Sequence, residues 1–198
     1  MLPLGFSAGL PFLLVFSTLS VWLVEEDVSR TAVGFFAWVG ITYSIKFLWA
    51  PFIDSIQIGF LTRKLGRRRS WIIIGQAGVV LGLSLMATFG PKNIVIFSIF
   101  AFLVAFSSAT QDVSIDAYRI EAASKESQGA MTAAYVFGYR LALLVSGAGT
   151  LYAAAIFSWS FAYILMAGLM FLGMRTKLVQ SLILSKMDIC IQEYLTLQ

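Results

Sequence analysis

Long stretches without charge dominate this chain of 198 residues. Five of them run for roughly twenty residues and a sixth is shorter, a length set by the bilayer. An unpaired peptide group in hydrocarbon costs several kcal/mol, so a bilayer core of about 30 Å accepts a helix of about 20 apolar residues and little else. The pattern predicts an all-α membrane protein with six transmembrane helices.

The composition agrees with this class. Hydrophobic residues make up 59% of the chain and charged residues 12%, and the mean hydropathy is +0.86. A soluble domain is about 45 to 50% apolar and about 25% charged. A soluble fold of this size could not bury so much apolar surface, and no soluble domain remains to carry a nucleic-acid-binding face. We therefore expect a lipid bilayer, and no nucleic acid, as a partner.

Turn residues and charges divide the chain into six spans. The predicted bounds are about 2–24, 31–53, 71–89, 93–111, 128–156 and 160–174. Gly90-Pro91 ends the third span because proline cannot continue a helix. The last charge-free stretch is too long for one crossing, so we divide it at Phe157-Ser158-Trp159-Ser160. This predicts a membrane domain over 1–174 and a divergent cytoplasmic tail over 175–198.

The basic residues predict the orientation. On the side of the N-terminus, the short loops and the tail carry the basic residues Arg63, Lys64, Arg67, Arg68, Arg69, Arg119, Lys125, Arg175, Lys177 and Lys186. The loops on the other side carry Arg30 and Lys92. Because cytoplasmic loops are enriched in lysine and arginine, the N-terminus is predicted to lie in the cytoplasm.

Two small-residue motifs predict where helices pack closely. They are Gly5-x-x-x-Gly9 in the first span and Gly78-x-x-x-Gly82 in the third, and such spacing lets helix backbones approach in lipid. The chain has no histidine, and Cys190 is its single cysteine. A zinc cluster, a disulfide framework and a histidine-dependent triad are therefore excluded, and neither a metal nor a cofactor is expected.

Ionisable residues at membrane depth are expensive there and mark polar pathways. Lys46 in the second span either extends its ammonium to the inner headgroups or faces an internal cavity. Arg140 lies near the centre of the fifth span, where such extension is hardest, so we expect it to line a cavity or to form an ion pair.

Asp112 and Asp116 follow the fourth span and share a helix face, with Gln111 adjacent. Three interpretations are open: an interfacial pair that contacts Arg119 or the basic connector, a proton or substrate role, or divalent metal binding. Asp54, at the inner end of the second span, is expected to pair with basic groups of the connector as a conformational latch.

Four blocks of residues, in order, carry a family resemblance. They are Phe47-Leu48-Trp49-Ala50-Pro51-x-x-Asp54, Gly66-Arg67-Arg68-Arg69-x-Trp71, Ser108-Ala109-Thr110-Gln111-Asp112-x-x-x-Asp116-Ala117, and Gly138-Tyr139-Arg140-Leu141 with Val145-Ser146-Gly147. The chain thereby resembles the AmpG muropeptide permeases of the major facilitator superfamily, from about residue 4 to 172.

The resemblance implies a six-helix half of a secondary transporter, without enzymatic activity. It would import N-acetylglucosaminyl-anhydromuramyl peptides across a bacterial inner membrane, driven by protons. The implied substrate and proton pathway comprises Arg140, Lys46, Asp112, Asp116, Gln111 and Tyr139. Asp54, Arg67, Arg68 and Arg69 would serve cytoplasmic gating and topology. The acidic residue common before the basic pair is absent, since Thr62-Arg63-Lys64 stands there, and Asp54 is the candidate substitute.

The family has two such halves, and this chain contains one. Our sequence-based hypothesis is a truncated descendant of such a transporter, inactive by itself. The alternatives are pairing with a missing second half, a homodimeric carrier of another small solute, and a non-transporting assembly subunit. An intramembrane enzyme would need a facing catalytic partner that Asp112 and Asp116 lack.

Overall fold

A computed structural model describes residues 1–56, 58–122 and 127–174. Five helical stretches in these ranges are long and apolar enough to cross a membrane, and a shorter apolar helix follows them. We number these as spans one to six, with the bounds Leu2–Glu25, Arg30–Leu48, Arg67–Lys92, Ile94–Glu121, Gln128–Ile156 and Trp159–Met174. The predicted class, an all-α membrane protein, is confirmed.

Span one lies at the centre of the bundle. It consists of the helices Leu2–Val15 and Ser17–Glu25, which are separated at Phe16. In its apolar stretch of 18 residues, which we call its apolar window, 61% is buried. This is the largest share among the five long spans. Leu10 and Leu14 of the first helix are fully buried, so the other spans pack around this one.

Span two is irregular where the sequence predicted one continuous helix. The helices Arg30–Phe36 and Ile41–Ser44 alternate with the 3-10 turns Ala37–Gly40 and Lys46–Leu48, and a helix over Ala50–Ser55 follows. Only 11% of its apolar window is buried. The last helix begins at Ala50 because Pro51, which lacks an N–H, suits the first turn of a helix.

Spans three and four pack against each other along a row of glycines. A methyl group at Gly75 would lie 2.9 Å from the Ser107 carbonyl oxygen, and one at Gly78 would lie 2.9 Å from the Ser107 Cβ. At Gly82 a methyl group would lie 3.3 Å from the backbone nitrogen of Val104. The close packing predicted for the third span is confirmed.

The ends of these two helices differ in how well they were predicted. Span three begins at Arg67, before the predicted start, and its helix ends at Phe89. The predicted stop is confirmed, since Gly90 has a φ of 59° that glycine tolerates best. The helix of span four runs over Ile94–Ala122, well past its predicted end at Gln111.

Spans five and six meet at the predicted reversal. Span five comprises the helices Gln128–Leu144 and Thr150–Ile156 with a π-helical turn, Val145–Gly149, between them. Ser158 separates it from span six, and the Ser158 hydroxyl oxygen accepts a hydrogen bond from the Phe161 N–H at 3.1 Å. The reversal predicted over residues 157–160 is confirmed.

Two side chains hold span six against span one. The buried Tyr163 hydroxyl donates to the Leu14 carbonyl oxygen at 2.8 Å. The Trp159 indole N–H donates to a Glu25 carboxylate oxygen at 2.7 Å, and the Trp159 ring stacks on Trp22 with centroids 5.8 Å apart. The predicted tail, 175–198, and Lys125 lie outside the described residues.

Candidate functional site

The two carboxylates of span four have different surroundings. Asp116 pairs with Arg119, with Oδ1 and Nη2 3.5 Å apart, and its side chain is 46% exposed. One oxygen of Asp112 is buried and has no hydrogen-bond partner within the described part of the chain. The sequence predicted both to follow a helix that ended at Gln111. The helix instead continues to Ala122 and carries both within it, one inward and one toward its end.

Asp112 is the electrostatic centre of a cluster formed by three spans. It interacts with the ammonium of Lys46 from span two and with Asp116 one turn along its own helix. It also acts on the phenol groups of Tyr43, Tyr135 and Tyr139, from spans two and five. We call Tyr43, Lys46, Asp112, Tyr135 and Tyr139 the Asp112 cluster. The sequence pointed to three of these five residues and missed Tyr43 and Tyr135.

Glycines of span one position the two tyrosines of span five. A methyl group at Gly5 would lie 2.8 Å from the Tyr135 carbonyl carbon, and one at Gly9 would lie 2.7 Å from the Tyr139 carbonyl oxygen. Span five also has a glycine at this contact. A methyl group at Gly138 would lie 3.0 Å from the Leu2 carbonyl carbon. The packing predicted for the Gly5 motif is confirmed, and it brings spans one and five into backbone contact at Tyr135 and Tyr139.

Span two brings Tyr43 and Lys46 to the cluster through its irregular segment. The Tyr43 hydroxyl is buried near the Ser108 side chain of span four. Further along the chain, the Trp49 ring packs on Phe106 with centroids 5.0 Å apart. Because 3-10 turns are tighter than α-helix, the residues around Lys46 present their side chains in a different order from a regular helix. No helical wheel drawn on the sequence could assign them to one face.

Gln111 and Arg140 differ in burial. Gln111 is fully buried against Gly75 of span three, and its amide nitrogen and oxygen have no hydrogen-bond partner in the described ranges. Arg140 is exposed near the middle of span five and interacts with Tyr139, which in turn interacts with Asp112. A charge at the bilayer centre needs protein or water around it, so the surface bearing Arg140 is unsuited to lipid.

A second charge cluster lies at the end of the bundle that carries the basic connector, which we call the basic end. The Arg68 guanidinium pairs with Asp54 and also donates from Nε and Nη2 to Glu121 Oε1, at 3.1 and 2.9 Å. It thereby joins the helix Ala50–Ser55, which follows span two, to the start of span three and the end of span four. The expected pairing of Asp54 with the connector is confirmed, and Glu121 was missed.

The other two arginines of this segment differ from Arg68. The Arg69 guanidinium lies 5.6 Å from the Tyr118 ring centroid and donates from Nη2 to its hydroxyl oxygen at 3.5 Å. Arg67 is partly buried at the start of span three. Arg68 differs in that it is tied to acidic groups of two other elements.

Ionisable side chains from several helices of membrane-spanning length lie within one bundle, a feature common in membrane transporters. Comparison with known proteins finds proteins named as transporters. The family model described as Acetyl-coenzyme A transporter 1 matches residues 1–97.

Several relatives carry the printed name "Putative transporter AmpG". AmpG 1 of Rickettsia felis is 34% identical over 169 residues, which is 85% of this chain and 38% of that protein. AmpG 4 of the same organism is 38% identical over 168 residues, 83% of this chain and 40% of its own. AmpG 3 of Rickettsia prowazekii is 38% identical over 162 residues, which is 81% of this chain and 38% of that protein. The chain is therefore similar to these proteins and spans about two fifths of their length. These names, and that of the family model, are those of transporters and not of enzymes.

Proposed function

We propose that this chain forms one six-helix half of a proton-coupled importer of anhydromuropeptides. A second six-helix unit supplies the opposite wall of the pathway, as in the two-unit architecture of the major facilitator superfamily. The bacterial inner membrane is its location. The observation that carries the proposal is the Asp112 cluster, a set of ionisable side chains from three spans at membrane depth in a relative of the AmpG transporters.

The chemistry of the cluster suits such a substrate. Tyr135 and Tyr139 stand one turn apart with ring centroids at 6.4 Å, a surface on which a sugar ring can stack. Phenol hydroxyls and a carboxylate accept and donate the hydrogen bonds that sugar hydroxyls need. Arg140 and Lys46 supply positive charge for the carboxylates of a peptide, and Asp112 supplies a group that can carry a proton.

A chimeric transporter tests the proposal. Residues 1–174 would replace the first six helices of a permease with proven muropeptide uptake, and vesicles would be assayed with labelled N-acetylglucosaminyl-anhydromuramyl tripeptide. We expect accumulation that requires an inward proton gradient and that collapses with a protonophore. A chimera that inserts and elutes as a single species, yet takes up no muropeptide, would contradict the proposal.

Two controls separate the alternatives. Vesicles that contain this chain alone should not accumulate the tripeptide, whereas a homodimeric carrier would. Excess acetyl-coenzyme A should leave uptake by the chimera unchanged, and competition by it would favour the substrate in the name of the matching family model. Co-purification with an unrelated membrane protein at fixed stoichiometry, without uptake, would favour an assembly subunit.

We also propose that the basic end faces the cytoplasm, together with the N-terminus. Its arginines exceed the basic residues at the opposite end, where Glu25 ends span one and Glu26 and Asp27 follow. A reporter that is active only in the cytoplasm, fused at the N-terminus, should be active. An inactive reporter with an active one placed after Asp27 would reverse the orientation.

A further inference from the structure

Arg119 lies near the end of span four and contacts span five. Its guanidinium carbon stands 5.3 Å from the centroid of the Tyr135 ring. A cation at this distance is attracted to the face of an aromatic ring. Oδ1 of Asp116, three residues earlier on the same helix, lies 3.5 Å from the Arg119 Nη2. The guanidinium is thus held between a carboxylate of its own helix and an aromatic ring of the next span.

These contacts leave most of the hydrogen-bonding capacity of Arg119 unused. A guanidinium carries five N–H donors. Within the residues that the structure describes, Arg119 donates no hydrogen bond, and its ion pair with Asp116 is long. Its side chain is 25% exposed, so its donors can be reached by a solute. Arg68, by contrast, donates two hydrogen bonds to Glu121 and pairs with Asp54 as well.

Tyr135 and Tyr139 form an aromatic surface beside this guanidinium. Their ring centroids are 6.4 Å apart, and Tyr135 therefore contacts Arg119 and Tyr139 at once. Both tyrosines are partly buried against an apolar cluster that includes Leu4 and Ala8 of span one. Part of each side chain remains exposed. Aromatic surface and a cation with open donors thus lie next to each other, on two different spans.

Regular helix holds both sides of this arrangement. Arg119 and Asp116 belong to the continuous helix Ile94–Ala122. The backbone of Tyr135 is close to span one, since a methyl group at Gly5 would lie 2.8 Å from the Tyr135 carbonyl carbon. Side chains on helices are held more precisely than side chains on loops. The separation of the guanidinium and the aromatic surface is therefore set by helix packing.

We propose that Arg119 binds a carboxylate of a substrate whose sugar ring rests on Tyr135 and Tyr139. This inference rests on the proposed function and narrows the substrate class of that pathway to sugars linked to a carboxylate. The planar fork of a guanidinium binds a carboxylate through two parallel hydrogen bonds. Asp116 and the Tyr135 ring orient this fork. Their own contact with it adds little stability, because a partly exposed pair of this kind is worth about 0 to 1 kcal/mol.

Two amino sugars test the proposal on the full chain in detergent. N-acetylmuramic acid and N-acetylglucosamine share the same ring, and the first also carries a lactyl carboxylate. The acid should raise the melting midpoint as its concentration increases, because a ligand of the folded state stabilises that state. N-acetylglucosamine should raise it less. Arg119→Gln should weaken the apparent affinity for the acid at least about tenfold and leave the response to N-acetylglucosamine unchanged.

Two further variants separate recognition from charge and from folding. Arg119→Lys keeps the charge without the planar fork and should retain part of the preference for the acid. Arg30→Gln is the matched control, since it removes one positive charge at an exposed site at the opposite end of the bundle. It should respond to the acid as the wild type does. An equal loss in this variant would show that net charge attracts the acid, and it would overturn the proposal.

Three other results would also overturn it. One is a wild-type chain that does not prefer the acid, a result that needs no variant to fold. The second is an Arg119→Gln chain with an undiminished response to the acid. The third is an equal loss of both responses in that variant, because Arg119 would then only support the fold around the tyrosines.

The uptake assay separates this inference from the proposed function. In the chimera, Arg119→Gln should raise the KM for the labelled tripeptide at least about tenfold with little change in kcat. Uptake of the same tripeptide with its carboxylates converted to amides should not respond to the substitution. Acid-selective binding by a chain whose chimera transports no muropeptide would uphold the role of Arg119 and refute the proposed function. Muropeptide uptake without acid selectivity would do the reverse.

Discussion

Replacing Gly5 with alanine should separate spans one and five. The new methyl group would lie 2.8 Å from the Tyr135 carbonyl carbon and 3.1 Å from its Cα, which are backbone atoms that cannot rotate away. Such overpacking costs about 3 kcal/mol, and the better helix propensity of alanine returns about 1 kcal/mol. We therefore expect a net loss of about 2 kcal/mol.

Gly168 in span six offers a matched control for this substitution. No atom of the described residues lies within 4 Å of where its methyl group would stand. Gly168→Ala should therefore stabilise the chain by up to about 1 kcal/mol through helix propensity. For a protein of this size about 1 kcal/mol corresponds to about 2 to 4 °C in the melting midpoint.

Thermal unfolding of the purified chain in detergent measures both variants. Gly5→Ala should lower the midpoint by about 4 to 8 °C, and Gly168→Ala should raise it by about 2 to 4 °C. Because Tyr135 moves with span five, Gly5→Ala should also weaken substrate binding by the chimera, whereas Gly168→Ala should not. Shifts of the same sign and size in both variants would refute the assigned contact between spans one and five.

Three further predictions use the same chain. Arg140→Ala should abolish uptake by the chimera with little effect on membrane insertion, and undiminished uptake would remove Arg140 from the pathway. Replacing the three arginines at residues 67–69 with glutamine should produce mixed orientation of an N-terminal reporter, and a unique orientation would show that other loops determine it. Tyr163→Phe should destabilise the chain by about 1 kcal/mol, because it loses the hydrogen bond to Leu14. Tyr152→Phe, at a site that is 71% exposed, should not. Equal unfolding midpoints for the two variants would contradict this prediction.

Local signals in the sequence predicted the boundaries that local chemistry controls. Gly90-Pro91 ends a helix because glycine accepts positive φ and proline lacks an N–H, and both effects are properties of the residues themselves. Ser158 starts span six by a similar local effect, since its hydroxyl accepts from a backbone N–H of the first turn. Such features need no partner from elsewhere in the chain.

Hydropathy misjudged the end of span four for a physical reason. It locates the apolar stretch that lipid requires, and Asp112 interrupts that stretch. A helix ends where its backbone loses hydrogen bonds, and nothing between Asp112 and Ala122 breaks them. The helix therefore carries Asp112 and Asp116 onward, and Glu121 with them to Arg68.

The Asp112 cluster depends on register between spans, which one sequence does not reveal. The residues near Lys46 lie in a 3-10 turn. The 3.6-residue period of an α-helix therefore does not predict which way their side chains point. The contribution of Tyr135 depends on how closely Gly5 allows span five to approach. Individual ionisable residues could be selected by their cost in lipid, but their partners required the packed structure.

Helical irregularity coincides with the ionisable residues of the two outer spans. Span two has a 3-10 turn at Lys46–Leu48, and span five has a π-helical turn at Val145–Gly149, soon after Arg140. These spans bury 11% and 22% of their apolar windows, against 44% for span three. Weaker hydrogen bonding and sparse packing both lower the free energy of local opening.

Hydrogen exchange should therefore distinguish spans two and five from the centre of the bundle. In detergent, backbone amides of Lys46–Leu48 and Val145–Gly149 should exchange at least about tenfold faster than those near Gly82, in the middle of span three. The comparison uses sites within the apolar spans, so lipid or detergent cover is similar in each. Equal protection at all three sites would mean that the irregular turns are as rigid as regular helix. Spans two and five could not then be the elements that open locally in preference to the centre of the bundle.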